Sequence, residues 1–232
     1  VLQFGSVTSF LNLEASYTIL DLVKNLKKID PMFLDGSLVK HASGIRVLAE
    51  PFYAEDARRI TPADIEEILE VLSQSFDFVV VDTPKEFDES LALVLEKANM
   101  ILFVTEMDVP SLKSAHRAFE LFSRMGIYEK KIRLILNRFI KSKLMSLESA
   151  EKALGAKVFC TLPNNYPSAI AAVNQGLSIQ DCDPKSDIAR SYSGLADAVF
   201  ESFSTASASR RETDEKRVGL LDRWMPVRGL LK

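Results

Sequence analysis

The sequence predicts an α/β protein built on a doubly wound, mostly parallel sheet flanked by helices. Three observations carry that prediction. The first is the stretch Phe76–Pro84, F-D-F-V-V-V-D-T-P, in which an apolar run from Phe78 to Val81 stops at Asp82. An unbroken β-branched run of this kind suits a strand buried on both faces, as in a parallel sheet. The second is that such runs recur at Met100–Val104, Ile132–Leu136 and Lys157–Leu162. The third is that stretches of helical spacing separate the runs, with no Asn-Gly hairpin signal between them. Strand and helix in alternation build a parallel sheet through right-handed crossovers.

Taken in order, Val1–Phe4 reads as the end of a strand, and Gly5 and Ser6 open a loop. Tyr17–Lys28 places Ile19, Leu20, Leu22, Val23 and Leu26 at helical spacing, with Ser16 as cap. Pro31, behind Asp30, starts a helix reaching about Lys40, and Gly44 leads into a short strand, Ile45–Leu48. Thr61-Pro62 supplies a cap and a first-turn proline. Asp64, Glu66 and Glu67 follow at the positive end of the helix dipole. The apolar face of that helix is Ile65, Ile68, Leu69 and Leu72.

Beyond the Phe78–Val81 run the spacing predicts a helix over Ser90–Lys97, a strand over Met100–Val104 and a helix over Pro110–Met125 closed by Gly126. The strand Ile132–Leu136 is stopped by Asn137-Arg138. A helix over Ser146–Leu154 ends at Gly155, and the strand Lys157–Leu162 is stopped by Pro163. The last helices are Tyr166–Gln175, closed by Gly176, and Pro184–Phe203, capped by Asp183. Composition shifts at Ser204. Residues 1–203 read as one domain, 204–215 as a flexible Ser/Ala-bearing linker, and 216–232 as an amphipathic basic tail. In that tail Leu220, Leu221, Trp224 and Met225 share one side of a helix, among the bases Lys216, Arg217, Arg223, Arg228 and Lys232. Trp beside Arg suits the headgroup boundary of a bilayer, and Pro226 holds the helix to about two turns.

The 232 residues suffice for one large α/β domain. A net charge of -3 supplies no global basic field and argues against nucleic acid as a partner. No apolar run approaches the roughly 20 residues of a membrane span. The start has neither an initiating Met nor the charged region of a signal peptide, so the chain reads as a fragment or processed form of a cytoplasmic protein. Cys160 and Cys182 lie far apart and read as two reduced thiols. His41 and His116 are expected on helical stretches with no metal-ligand partner at useful spacing. Lys113, Arg117, Arg124, Lys130, Lys131 and Arg133 form a basic stretch around the Ile132–Leu136 run. It has no aromatic interleaving and reads as a solvated edge.

Asp82 is the first candidate for chemistry. A carboxylate at the carboxyl end of a buried strand is how a nucleotide-hydrolysing fold orients Mg²⁺ through water; the plainer reading is an Asp that starts a turn. The sequence contains no G-x-x-x-x-G-K-[ST] and no G-x-G-x-x-G, and its nine glycines are scattered. No phosphate loop can be placed among these residues.

Several pieces then occur in a telling order: Leu2-Gln3-Phe4-Gly5 with Phe10-Leu11-Asn12-Leu13, Gly44-Ile45-Arg46-Val47-Leu48-Ala49, Phe76–Asp82, Leu136-Asn137-Arg138, Leu162-Pro163-Asn164-Asn165 and Asn174-Gln175-Gly176. Together they resemble the MinD/ParA family of deviant P-loop ATPases, and within it the TadZ/CpaE branch associated with pilus assembly. The resemblance covers about Val1–Phe203. It implies a P-loop NTPase-like sheet, here without its first strand, phosphate loop and first helix. It implies ATP and Mg²⁺ as cofactors, with Asp82 as the Walker B-like carboxylate and Asn137, Arg138, Pro163 and Asn164 on the adenine side. It also implies a homodimer, recruitment of pilus or secretion assembly proteins, and a cytoplasmic location at a pole or at the inner face of the membrane, where the tail would give peripheral contact. One departure stands out. Anchored on Gln3-Phe4-Gly5, Val1 falls where the family carries the second Asp of Asp-x-Asp, which positions the attacking water. Val can neither orient water nor accept a proton, so hydrolysis is expected to be weak or absent. The alternatives are a ParA-type chromosome or plasmid partitioning ATPase, or an interaction scaffold that never hydrolyses ATP. Relatives of the nitrogenase iron protein are disfavoured, because they need paired cluster-ligating cysteines.

Overall fold

The computed structural model describes residues 5–141 and 145–222. The expected strand end Val1–Phe4 lies outside the described residues. The N-terminal half is mostly helical. It holds α1 (Val7–Phe10), α2 (Ile19–Lys24), α3 (Pro31–Ser37), the short strands β1 (Val39–Lys40) and β2 (Arg46–Val47), and α4 (Pro62–Ser75). The second half alternates: α5 (Glu89–Lys97), β3 (Ile101–Glu106), α6 (Val109–Arg124), β4 (Ile132–Phe139), α7 (Leu147–Leu154), β5 (Val158–Pro163), α8 (Tyr166–Gln175), α9 (Ile179–Cys182) and α10 (Asp187–Asp222). Strands β3, β4 and β5 form a three-stranded parallel sheet in that order, with helices as crossovers. The chain therefore has the α/β architecture that its alternating pattern predicts.

Local chemistry explains most boundaries. Thr61 and Asp64 form a reciprocal capping box at the start of α4, where Thr61 Oγ1 accepts the Asp64 N–H and the Asp64 carboxylate accepts the Thr61 N–H at 2.8 Å. Asp88, Asp108 and Ser146 cap α5, α6 and α7 in the simpler way. Gly155 and Gly176 close α7 and α8 in the left-handed conformation that glycine adopts without strain. The sheet core follows the burial pattern. Leu134, Ile135 and Leu136 of the central strand are almost fully buried, packed on one side by Leu112, Ala115, Ala150 and Leu154, and on the other by Leu162 and Leu195. Helix α5 touches both halves: Leu91 and Leu95 join Ile101 and Phe122, whereas Leu93 and Val94 join Leu20, Ile60 and Ile65.

Several expectations are corrected. Phe78–Val81 is not a buried strand. The stretch belongs to no ladder and all its side chains are exposed, Val80 to 90%. A run of β-branched residues is a strand only where another backbone pairs with it, and no described strand does so here. Its one described aromatic anchor is Phe78, whose ring lies 6.1 Å from Phe200 and 5.6 Å from Phe203 of α10. Helix α2 is shorter than Tyr17–Lys28 and is capped at Thr18, whose backbone and hydroxyl bond the Asp21 carboxylate. Helix α3 stops at Ser37, and Val39–Lys40 then pairs antiparallel with Arg46–Val47. His41 sits in the connecting turn, bonded to Ser43, and not on a helix. Strand β4 runs through Asn137 to Phe139 instead of stopping at Leu136. Helix α10 starts at Asp187, while Asp183 ends α9, and it continues through 204–215 to Asp222. Serine and alanine tolerate helix well, so the stretch expected as a linker extends the preceding helix. Leu220 and Leu221 fall in the last turn of that helix. Trp224 and Met225 lie outside the described residues.

Candidate nucleotide-side rim

Parallel strands deliver their carboxyl ends to one edge of the sheet. Here the register pairs Glu106 of β3 with Asn137 of β4, and Phe139 of β4 with Pro163 of β5. Glu106, Asn137, Arg138, Pro163 and Asn164 therefore share a rim. The structure thus gathers four of the five residues singled out from sequence. The fifth, Asp82, lies on the exposed stretch that precedes α5, outside the three paired strands.

The rim has a specific local geometry. The ladder between β4 and β5 is irregular between Leu136 and Phe139, and Arg138 adopts φ +49°, which a non-glycine residue rarely does. That turn points the Arg138 guanidinium at Glu106, with Nη1 3.4 Å from Oε1. The Asn164 N–H donates to the Phe139 carbonyl at 3.3 Å and ties the end of β5 to the end of β4. One residue on, Asn165 caps α8 through its side-chain oxygen, and its amide donates to Asp187 at the start of α10 at 2.7 Å. The Asn165 amide holds the Asp187 carboxyl below the usual carboxylate range. Burial opposes this, and the N–H groups opening α10 and the nearby Arg190 charge assist it. Ser168 of α8 donates to Asp183 at 2.6 Å, so the loop after β5 is fastened at two points.

Two features bear on chemistry. The side-chain amides of Asn137 and Asn164 make no hydrogen bond within the described residues, so each keeps both its donors and its acceptor for a ligand. Glu106 is the rim residue that the sequence reading missed. Its signal was available: it ends an apolar strand run just as Asp82 ends Phe78–Val81. Neither Cys joins the rim. Cys160 is half-buried within β5, where burial pushes its thiol up, away from the reactive thiolate form.

Comparison with known proteins gives two attributions. A family model described as exocyst complex component Sec3, C-terminal, matches residues 56–219. The septum site-determining protein MinD of Thermotoga maritima is 25% identical over 78% of this chain and 66% of its own length. The chain spans about half the length of the next curated MinD relatives that it matches. Among solved structures, a ParA family ATPase from Chlorobium tepidum superposes with TM-score 0.76 at 21% identity, over 82% of this chain and 80% of that one. MinD of Pyrococcus horikoshii, solved with Mg-ADP, superposes with TM-score 0.71 at 17% identity, over 85% and 79%. The two attributions differ. The stretch 56–219 holds α4 and most of α10, with all three strands of the parallel sheet between them. The MinD and ParA likeness is found by sequence and by structure alike. On that agreement, the chain has the fold of the MinD and ParA ATPases and is similar to MinD in sequence.

Proposed function

We propose that this chain is the base-binding body of an ATP-dependent positioning protein of the TadZ/CpaE type, which places pilus or secretion machinery. The observation that carries the nucleotide part is the rim: two asparagine amides without internal partners beside a proline, at the carboxyl edge of a parallel sheet. The Asn137 amide offers the donor and acceptor that match an adenine edge, and Pro163 offers a face to the ring. Asp82 would supply the carboxylate to a water of the Mg²⁺ shell, and the metal would neutralise charge on the phosphates. The relative solved with Mg-ADP supports the same ligand class. The residues fit the base; they offer no glycine-rich cradle for the phosphates. Val1 in place of a water-positioning Asp supports slow hydrolysis in any longer form that carries the loop. The sequence pieces shared with the TadZ/CpaE branch favour pilus placement over septum placement or DNA partitioning.

Titration calorimetry of this chain with adenosine, ATP and GTP tests the reading. Adenosine and ATP should bind with similar affinity, on the order of millimolar, because the triphosphate finds no loop. Asn137→Ala should abolish both, and GTP should bind less well. Micromolar ATP binding would place a phosphate site within these residues, and equal binding of GTP would remove the adenine rim.

A further inference from the structure

Helices α6 and α7 leave a groove of about 420 Å³ between them. Its α6 wall is Val109, Leu112, Lys113, His116 and Arg117, a stripe of one helical face; its other wall is Met145, just before the α7 cap, with Ser149 and Ala153 of α7. The floor is apolar, closed below by Leu112 and Ala150 of the core, while Val109 at the mouth is 53% exposed. The rim is cationic. Lys113 and Arg117 stand one turn apart, exposed, and form no ion pair or hydrogen bond with any described residue. The acids nearby are engaged or turned away. Glu120 Oε1 lies 3.6 Å from His116 Nε2, a contact that is ionic only when the imidazole carries a proton. Glu151 bonds Lys157 and the Val158 N–H, and it lines the opposite side of α7 with Glu148.

We infer that this groove docks an amphipathic helix of a partner protein, one that presents small apolar side chains flanked by two carboxylates four residues apart. Walls from α6 and from α7 make a trough for a third helix. Lys113 and Arg117 are about 6 Å apart along α6, the spacing of carboxylates at i and i+4 on a helix alongside. Apolar contacts supply area and the two charges set partner choice and register. A flat anionic surface would meet the two cations but leave the concave floor unfilled. The proposal goes beyond nucleotide binding and does not depend on it.

The test uses the whole chain, without nucleotide, and a fluorescent stapled helical peptide of about three turns carrying alanines and valines on one face and glutamates at i and i+4. Polarisation should show binding, and no binding to the same peptide with lysines for the glutamates. K113E/R117E should weaken the acidic peptide by about tenfold or more and bind the lysine peptide instead. Ala153→Gln, which fills the floor, should weaken both pairings. Circular dichroism confirms that the variants fold. Equal binding of the acidic peptide to native chain and K113E/R117E, or no binding to the native chain, would overturn the proposal. So would a finding that K113E/R117E loses only anionic vesicles or DNA in the same assay.

Discussion

Gly176 and Asn12 meet backbone to side chain: a Cβ added at Gly176 would stand 2.3 Å from the Asn12 Cβ. Both residues have positive φ, +63° and +49°. The loop after α1 and the loop after α8, far apart in sequence, are thus locked against each other at a glycine. Gly176→Ala adds a clash to the roughly 1 kcal/mol cost of a left-handed alanine, so a loss of about 2–3 kcal/mol in urea unfolding is expected. Asn12→Gly in the same chain removes the clashing atom and should recover more than half of it. No recovery would show that the strain lies in the α8 cap alone.

Arg138 should separate conformation from charge. Arg138→Val puts a β-branched residue at φ +49° and should cost about 1–2 kcal/mol. Arg138→Gly relieves the backbone and loses only an exposed ion pair with Glu106, so its unfolding midpoint should stay close to native. A large loss in Arg138→Gly would show that the ion pair holds the rim.

The Asn165–Asp187 bond makes a pH prediction. The folded carboxyl of Asp187 lies below its unfolded value, so its stabilisation is complete above about pH 4 and is lost as pH falls through the lower folded value. Asp187→Asn should therefore melt below the native chain at neutral pH, and the gap should close in strong acid. A gap that is the same at both pH values would remove the charge from the explanation.

Val80 gives a direct check on the unpaired stretch. With its side chain 90% exposed, Val80→Lys should change stability by no more than about 0.5 kcal/mol. A loss of several kcal/mol would mean that Phe78–Val81 is buried after all.

What the sequence made legible was chemistry written locally. Thr61-Pro62 before Asp64 and the glycines after Leu154 and Gln175 mark helix ends that the structure keeps. The resemblance singled out Asn137, Arg138, Pro163 and Asn164, and parallel register places these strand-end residues on one edge. Partnership between distant backbones was not legible. Phe78–Val81 has the composition of a strand and finds no ladder. Val39–Lys40 has little strand character and finds one, because His41–Gly44 turns the chain back. The φ of Arg138 and the contact at Gly176 depend on loops whose paths no local pattern encodes.

The position of α5 has a consequence for how the molecule comes apart. Among the described residues the two halves share no hydrogen-bonded sheet; this nine-residue helix is common to both apolar cores, and Glu66 on α4 is ion-paired to its Lys97. Neither half can shed α5 without exposing leucines of the other. Melting should therefore be a single cooperative event even though the architecture looks divisible, with amides of α4 and β4 exchanging with solvent at one common rate-setting opening. Leu95→Ala, which touches only the sheet side, should lower the protection of α4 as well as β3, and so transmit a local defect across a boundary that no strand crosses.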